Sequence, residues 1–147
     1  MEQADNIKKA ISIFNKVNDY LMKTYFSSLI NDITPKQFNV LRSVYDMQPV
    51  NVQTIAKKYN LSMSSVSQLI TKLEKESYLH RELNPENRRE ILLTLGPKGQ
   101  EYFDEYERID QFIIERYYSH LSMEETQQLK EIANKLYRVV TGENSDK

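Results

Sequence analysis

Between Asn51 and Leu95 the spacing of apolar residues changes its period once, and that change restricts the chain to few architectures. From Ser62 to Lys75, Val66, Leu69, Ile70 and Leu73 recur at i, i+3, i+4 and i+7, the stripe of a helix buried along one side. After Lys75 the pattern becomes alternation. Tyr78 to Leu83 and Arg89 to Leu95, the second with Ile91, Leu93 and Leu95 on one face, predict two strands joined by a turn at Asn84-Pro85-Glu86-Asn87. Upstream, Asn51 is placed to cap a short helix whose Ile55, Ala56 and Tyr59 face inward. Ala56 supplies the small side chain needed where two helices cross closely, and Asn60 tolerates the left-handed backbone of the turn between them.

The side of the second helix turned away from the core carries chemistry. Ser64, Ser65, Ser67, Gln68, Thr71 and Lys72 lie there, and the first acid in the helix is Glu74. Hydroxyls, an amide and a lysine can bond phosphates and base edges, and no carboxylate among them repels a polyanion. Ser62 caps the helix, and its hydroxyl is placed to meet an anion at the N-terminus. Arg88 and Arg89 at the end of the ribbon have the reach and charge for a narrow minor groove, where the negative potential is deepest.

In order and spacing, the words ITPKQFNVLRSVYD, IAKKYNLSMSSVSQLITKLEKESYLHRE, NPENRRE and LLTLGPKGQEYF resemble the winged helix-turn-helix core of the MarR/SlyA family of bacterial transcription regulators, from Thr34 to Phe103. The resemblance implies a mainly α fold, a three-helix core plus a two-stranded β wing, with long N- and C-terminal helices for dimerisation. It implies a homodimer on double-stranded DNA, with recognition helices in successive major grooves of a pseudo-palindromic, inverted-repeat operator. Ser62, Ser64, Ser65, Ser67, Gln68, Thr71 and Lys72 would then serve the major groove, and Arg88 and Arg89 the minor groove. Most such relatives are repressors that leave DNA when a small, often aromatic or phenolic, ligand enters a cleft between the lobes; no cofactor is implied. The chain departs from the family at the ribbon tip, where aspartates are usual at the positions of Asn84 and Asn87. In the family the second of these orients a wing arginine, and an amide can still bond that guanidinium without the charge.

The flanking segments read as helices. Ile7, Ala10, Ile11, Phe14, Val17, Leu21, Tyr25 and Leu29 keep helical spacing from Asp5 to about Ile30. With Ile13, Tyr20, Met22 and Phe26 the stripe is wider than a small domain can bury, so part of it is expected to meet another chain. Thr34 with Gln37 forms a capping box, Pro35 suits the first helical position, and Ile33 with Phe38 a hydrophobic staple; Pro49 ends that helix. Gly96 and Pro97 open a long helix running to about Ser119 with Tyr102, Phe103, Tyr106, Ile109 and Tyr117 on its stripe. Ser122 with Glu125 opens a last one that stops near Gly142. The expected organisation is an N-terminal dimerisation helix (1–31), a winged-helix lobe (32–97), C-terminal dimerisation helices (98–142) and a disordered tail (143–147).

Net charge is −1, yet its distribution is uneven. Residues 1–51 carry six Lys/Arg and five Asp/Glu; residues 52–98 carry eight and five; residues 99–147 carry six and eleven. Positive charge therefore gathers on the segment that would face phosphate. The first ten residues, MEQADNIKKA, lack the apolar stretch of a signal peptide, and no apolar run suits a membrane span, so the cytoplasm is the expected compartment. Absence of cysteine excludes disulfides and thiol-based sensing, and His80 and His120 lack ligand spacing for a metal. With no Gly-rich phosphate loop, Gly-x-Ser-x-Gly elbow or His/Glu helix motif, the sequence does not read as an enzyme. A winged-helix module that binds protein instead of DNA is the alternative.

Overall fold

The computed structural model describes residues 1–143 of the chain. The backbone forms two compact units, Met1–Ile109 and Asp110–Lys147. The first holds α1 (Glu2–Tyr25), α2 (Ser27–Asp32), α3 (Pro35–Met47), β1 (Val50–Asn51), α4 (Val52–Lys58), α5 (Met63–Lys75), β2 (Leu79–Asn84), β3 (Asn87–Leu95) and most of α6 (Pro97–Arg116). The second holds the end of α6, a 3₁₀ turn at Tyr118–His120 and α7 (Met123–Thr141). Of the expected disordered tail, residues 144–147 lie outside the described residues.

Helix starts follow the local chemistry of the sequence. The Thr34 hydroxyl accepts from the Gln37 backbone N (3.2 Å) and the Gln37 side chain accepts from the Thr34 N (2.9 Å), a complete capping box for α3. Ser122 and Glu125 make the same reciprocal pair at α7, which ends on Gly142 at φ 71°. Asn60, at φ 51°, takes the left-handed conformation between α4 and α5.

Two expectations are corrected and one, the two-stranded wing, gains an addition. The single helix from Asp5 to about Ile30 is two helices, because the backbone at Phe26 leaves helical geometry (φ −101°, ψ 2°) before α2 begins. The break allows Phe26 and Leu29 to be buried while α1 itself buries no residue. Next, the two-stranded wing has a third strand. β1 pairs antiparallel with β3 at Val50↔Leu93 and Asn51↔Leu92, giving the order β1-β3-β2. Two residues are too few to show alternation, so only the pairing reveals the strand. Finally, α6 ends at Arg116 and not near Ser119, the chain tightening into the 3₁₀ turn.

The core of the first unit is built from Leu41 and Val44 of α3, Ile55 of α4, Val66, Ile70 and Leu73 of α5, Leu93 of β3 and Phe103 of α6, all fully buried. α4 packs on α5, α5 on β2 and α3 on β3. The outward side of α5 is thus fixed by the same stripe that anchors it. Among the described residues no helix is long and apolar enough to cross a membrane.

The start of α6 lies against the α5–β2 turn without room for a side chain. A Cβ at Gly99 would overlap the Tyr78 carbonyl oxygen, and one at Gly96 the Ser77 carbonyl. Tyr78 O is already held by Gly96 N at 2.9 Å, so it cannot retreat freely. Gly99→Ala is expected to destabilise the fold by about 2–3 kcal/mol, read as a melting midpoint lower by roughly 5–10 °C. An unchanged midpoint would show that the turn is free to move.

Candidate nucleic-acid interface

α5 presents the face expected from its helical spacing. Ser62, Ser64, Ser65, Ser67, Gln68, Thr71 and Lys72 are all exposed, opposite the buried Val66, Ile70 and Leu73. Ser64, Ser67, Gln68, Thr71 and Lys72 line one open groove together with Lys75, which sequence reasoning missed although it stands one turn beyond Thr71. Glu74, the first acid of the helix, is half-buried and turned to Arg81, with Oε2 3.3 Å from the arginine Nε and out of line for a hydrogen bond. The row therefore remains free of carboxylate.

Hydrogen bonding sets the polarity of two of its hydroxyls. Ser62 accepts from the Ser65 backbone N (3.1 Å) and donates to Ser65 Oγ (2.9 Å). Ser62 is thereby committed to the cap, and the Ser65 hydroxyl, already an acceptor, has its proton to offer outward. Thr71 Oγ1 accepts from Arg81 Nη2 at 3.2 Å and has its proton available in the same way. Donors facing out are what phosphate oxygens and purine N7 atoms require. Sequence reasoning also missed Arg81, which reads there as one more strand residue.

The ribbon differs from a plain hairpin. Pro85 and Glu86 form the turn between paired Asn84 and Asn87, and the register then jumps to Leu83↔Ile91. Arg88, Arg89 and Glu90 fall in that jump, a bulge in β3 without partners on β2. Bulges re-aim side chains, and here the re-aimed side chains are the two arginines. Arg89 shares a recess with Ser67 of α5, along with Gln53 and Arg81, so bulge and helix face adjoin; Arg88 is exposed at the preceding position.

The acid beside the arginines is occupied elsewhere. Glu90 accepts from Asn51 Nδ2 at 2.6 Å through one carboxylate oxygen and from Asn84 Nδ2 at 2.9 Å through the other. These two amide bonds, Asn51 first, hold its pKa below the ordinary carboxylate value, so it stays ionised and acceptor-only at neutral pH. Among the described residues neither Arg88 nor Arg89 forms an ion pair. Asn87, at the position where a family aspartate orients a wing arginine, instead accepts from the Arg89 backbone N at 3.2 Å. Asn84 Oδ1 accepts from the Glu86 N at 3.0 Å. The amides at the tip thus shape the turn and the bulge and do not hold the guanidinium groups.

A second feature lies in the same unit, away from α5. A cavity of ≈ 340 Å³ is walled by Phe26, Leu29, Ile33, Phe38, Tyr102 and Tyr106 among others, and among the described residues no charged side chain lines it. The Tyr102 hydroxyl donates to the Leu29 carbonyl at 3.3 Å. Burial, with Asp32 nearby, pushes its pKa up to about 12, so it stays neutral. Among the described residues no cluster of three or more His, Cys, Asp or Glu could hold a metal ion.

Comparison with known proteins gives a consistent picture. The sequence pattern of the MarR family matches residues 33–91. The chain is 31% identical over 130 residues to the uncharacterised HTH-type transcriptional regulator YkoM of Bacillus subtilis, covering 88% of this chain and 82% of YkoM. It is 28% identical over 141 residues to the HTH-type transcriptional repressor MdtR of the same organism, covering 92% and 89%. Among solved structures, FabT of Streptococcus pneumoniae in complex with DNA shares the fold at a TM-score of 0.76 and 22% identity, covering 97% of this chain and 99% of that one.

Proposed function

The chain belongs to the MarR family of winged-helix transcriptional regulators, and on that premise we propose that it is a homodimeric repressor binding an inverted-repeat operator in double-stranded DNA. It is a regulator and not an enzyme. The observation that carries the DNA reading is the carboxylate-free row on α5 beside a bulge holding two exposed arginines that form no ion pair among the described residues. In the proposed complex Ser64, Ser65, Ser67, Gln68, Thr71 and Lys72 meet the major groove, the α5 N-terminus that Ser62 caps meets a phosphate, and Arg88 and Arg89 the flanking minor groove. A fold neighbour solved on DNA and a relative named as a repressor are in accord with this reading.

Residues 32–97 form the DNA-binding lobe in this proposal, and residues 1–31 and 98–142 the dimerisation helices. α1 exposes Ile7, Ile11, Phe14 and Val17 along one side, and α7 exposes Ile132, Leu136, Val139 and Val140. Neither helix has a buried residue in the single chain, and apolar area of this extent is normally covered by a partner.

The proposed effector is a small aromatic molecule in the cavity beneath α2. Its volume suits one such ligand. A lining of rings and aliphatic side chains with Thr34 and Asn39, and no cation among the described residues, favours an uncharged aromatic over an aromatic carboxylate, whose charge would be buried unpaired.

Footprinting on the DNA adjoining the gene tests the proposal, repeated with a neutral phenol and with an aromatic acid. A two-fold-symmetric protected site, lost with the phenol, is the expected result. Protection that neither compound disturbs would remove the effector and leave the repressor. A protein that fails to shift any duplex at low salt would be the protein-binding module instead. Within the complex, Gln68→Ala is expected to relax discrimination at one base pair per half-site by about 1–3 kcal/mol, because a Gln amide pairs bidentately with an adenine edge. Equal loss on every sequence would deny Gln68 that role.

A further inference from the structure

We infer that Glu90 is the positioning residue of the wing, holding the Arg88-Arg89 bulge in register with the helix-turn-helix by clamping Asn51 at one carboxylate oxygen and Asn84 at the other. This rests on the DNA-binding reading above and assigns a role to a residue whose charge alone would count against it.

An acid next to two arginines ordinarily pairs with them or repels the phosphate they seek. Among the described residues Glu90 pairs with neither arginine; its two oxygens are held by neutral amides, at 2.6 and 2.9 Å, so its charge stays turned to Asn51 and Asn84. The two amides it joins belong to different parts of the fold. Asn51 caps α4: its Oδ1 accepts from the Thr54 N (2.8 Å) and the Thr54 hydroxyl (2.6 Å), leaving its Nδ2 to reach Glu90. Asn84 lies at the end of β2, where its Oδ1 shapes the turn through the Glu86 N. The clamp thus runs from the N-terminus of α4, through Glu90, to the ribbon tip. Backbone pairing cannot do this work, since Arg88, Arg89 and Glu90 have no partners on β2. Hydrogen bonds to a charged group are the stronger kind, and two of them on one carboxylate fix its orientation. What the sequence shows as a charge flanking the arginines is, in the fold, the tie that sets where they point.

A double-mutant cycle tests it, with affinities measured for a duplex from the region adjoining the gene and for a scrambled duplex, and with melting midpoints for every variant. Glu90→Ala is expected to weaken binding about tenfold, the coupling expected within one hydrogen-bonded network. In the Arg88→Ala/Arg89→Ala background the same change is expected to cost less than about twofold, because the groups it positions are gone. Asn51→Ser keeps a good cap on α4 and deletes one donor to Glu90, so it should reproduce part of the loss while the midpoint stays near that of the parent. A purely structural Glu90 would lower affinity equally in both backgrounds, and a purely repulsive one would tighten binding when removed. Either result overturns the assignment, whereas wild-type protein that binds neither duplex defeats the DNA reading itself.

Discussion

Replacing Phe103 with alanine is expected to destabilise the protein by about 3–5 kcal/mol, the largest effect of any single truncation considered. Phe103 is fully buried. Its ring stacks on Tyr45 at 4.2 Å between centroids and meets Tyr102 edge-on at 5.4 Å, with Phe38 and Tyr106 further out. The Arg42 guanidinium lies 5.9 Å from its centroid and 5.4 Å from that of Tyr45, closing the cluster on the solvent side. Removing the ring leaves a hole among aromatic rings too large to follow it, so the cavity cost adds to the lost transfer energy. The loss is a large share of the 5–15 kcal/mol typical of a whole domain. Urea denaturation at fixed protein concentration would show a reduced midpoint with little change in slope. Leu83→Ala, at an apolar residue 60% exposed on the ribbon, serves as the control and should shift stability by less than about 0.5 kcal/mol. If the two variants melted alike, Phe103 would not be the centre of this core.

Phe103 also shows how much of the fold could be read from sequence. Its place on the α6 stripe follows from helical spacing, as do the stripes of α5 and α3, because a buried face recurs with the helix period whatever lies opposite. Caps were equally legible, since Thr34, Asn51, Ser62 and Ser122 act on neighbours three residues away. The break at Phe26 was not, because no glycine or proline marks it; it coincides with the tertiary burial of Phe26 and Leu29. β1 escaped notice because two residues carry no period. At the candidate site the face of α5 was visible as composition. The partners of Glu90 were not, since Asn51 lies 39 residues away and only the antiparallel approach of β1 to β3 brings them together. Local pattern reports which residues are outside; which of those are already engaged is a tertiary fact.

That distinction leads to the second large effect. Arg88→Ala/Arg89→Ala is expected to weaken operator binding on the order of a hundredfold or more at moderate salt, with the fold undisturbed. Both side chains are exposed and among the described residues neither forms an ion pair, so their removal strands no partner and should move the melting midpoint by no more than about 1–2 °C. On DNA the balance reverses. Each arginine that neutralises a phosphate releases counterions, and the slope of log affinity against log salt falls by about 0.9 for every phosphate left without its arginine. Four arginines in a homodimer give an expected change of about 3–4. The weakening should extend to the scrambled duplex, unlike that of Gln68→Ala, because counterion release carries no sequence information. Arg88→Lys/Arg89→Lys separates charge from shape. Lysine restores most of the salt slope but, as a strongly hydrated point charge, recovers only part of the affinity if the guanidinium enters a narrow minor groove. A lysine variant indistinguishable from wild type would place these side chains on the phosphates outside the groove, and an alanine variant with an unchanged slope would remove the bulge from the interface altogether.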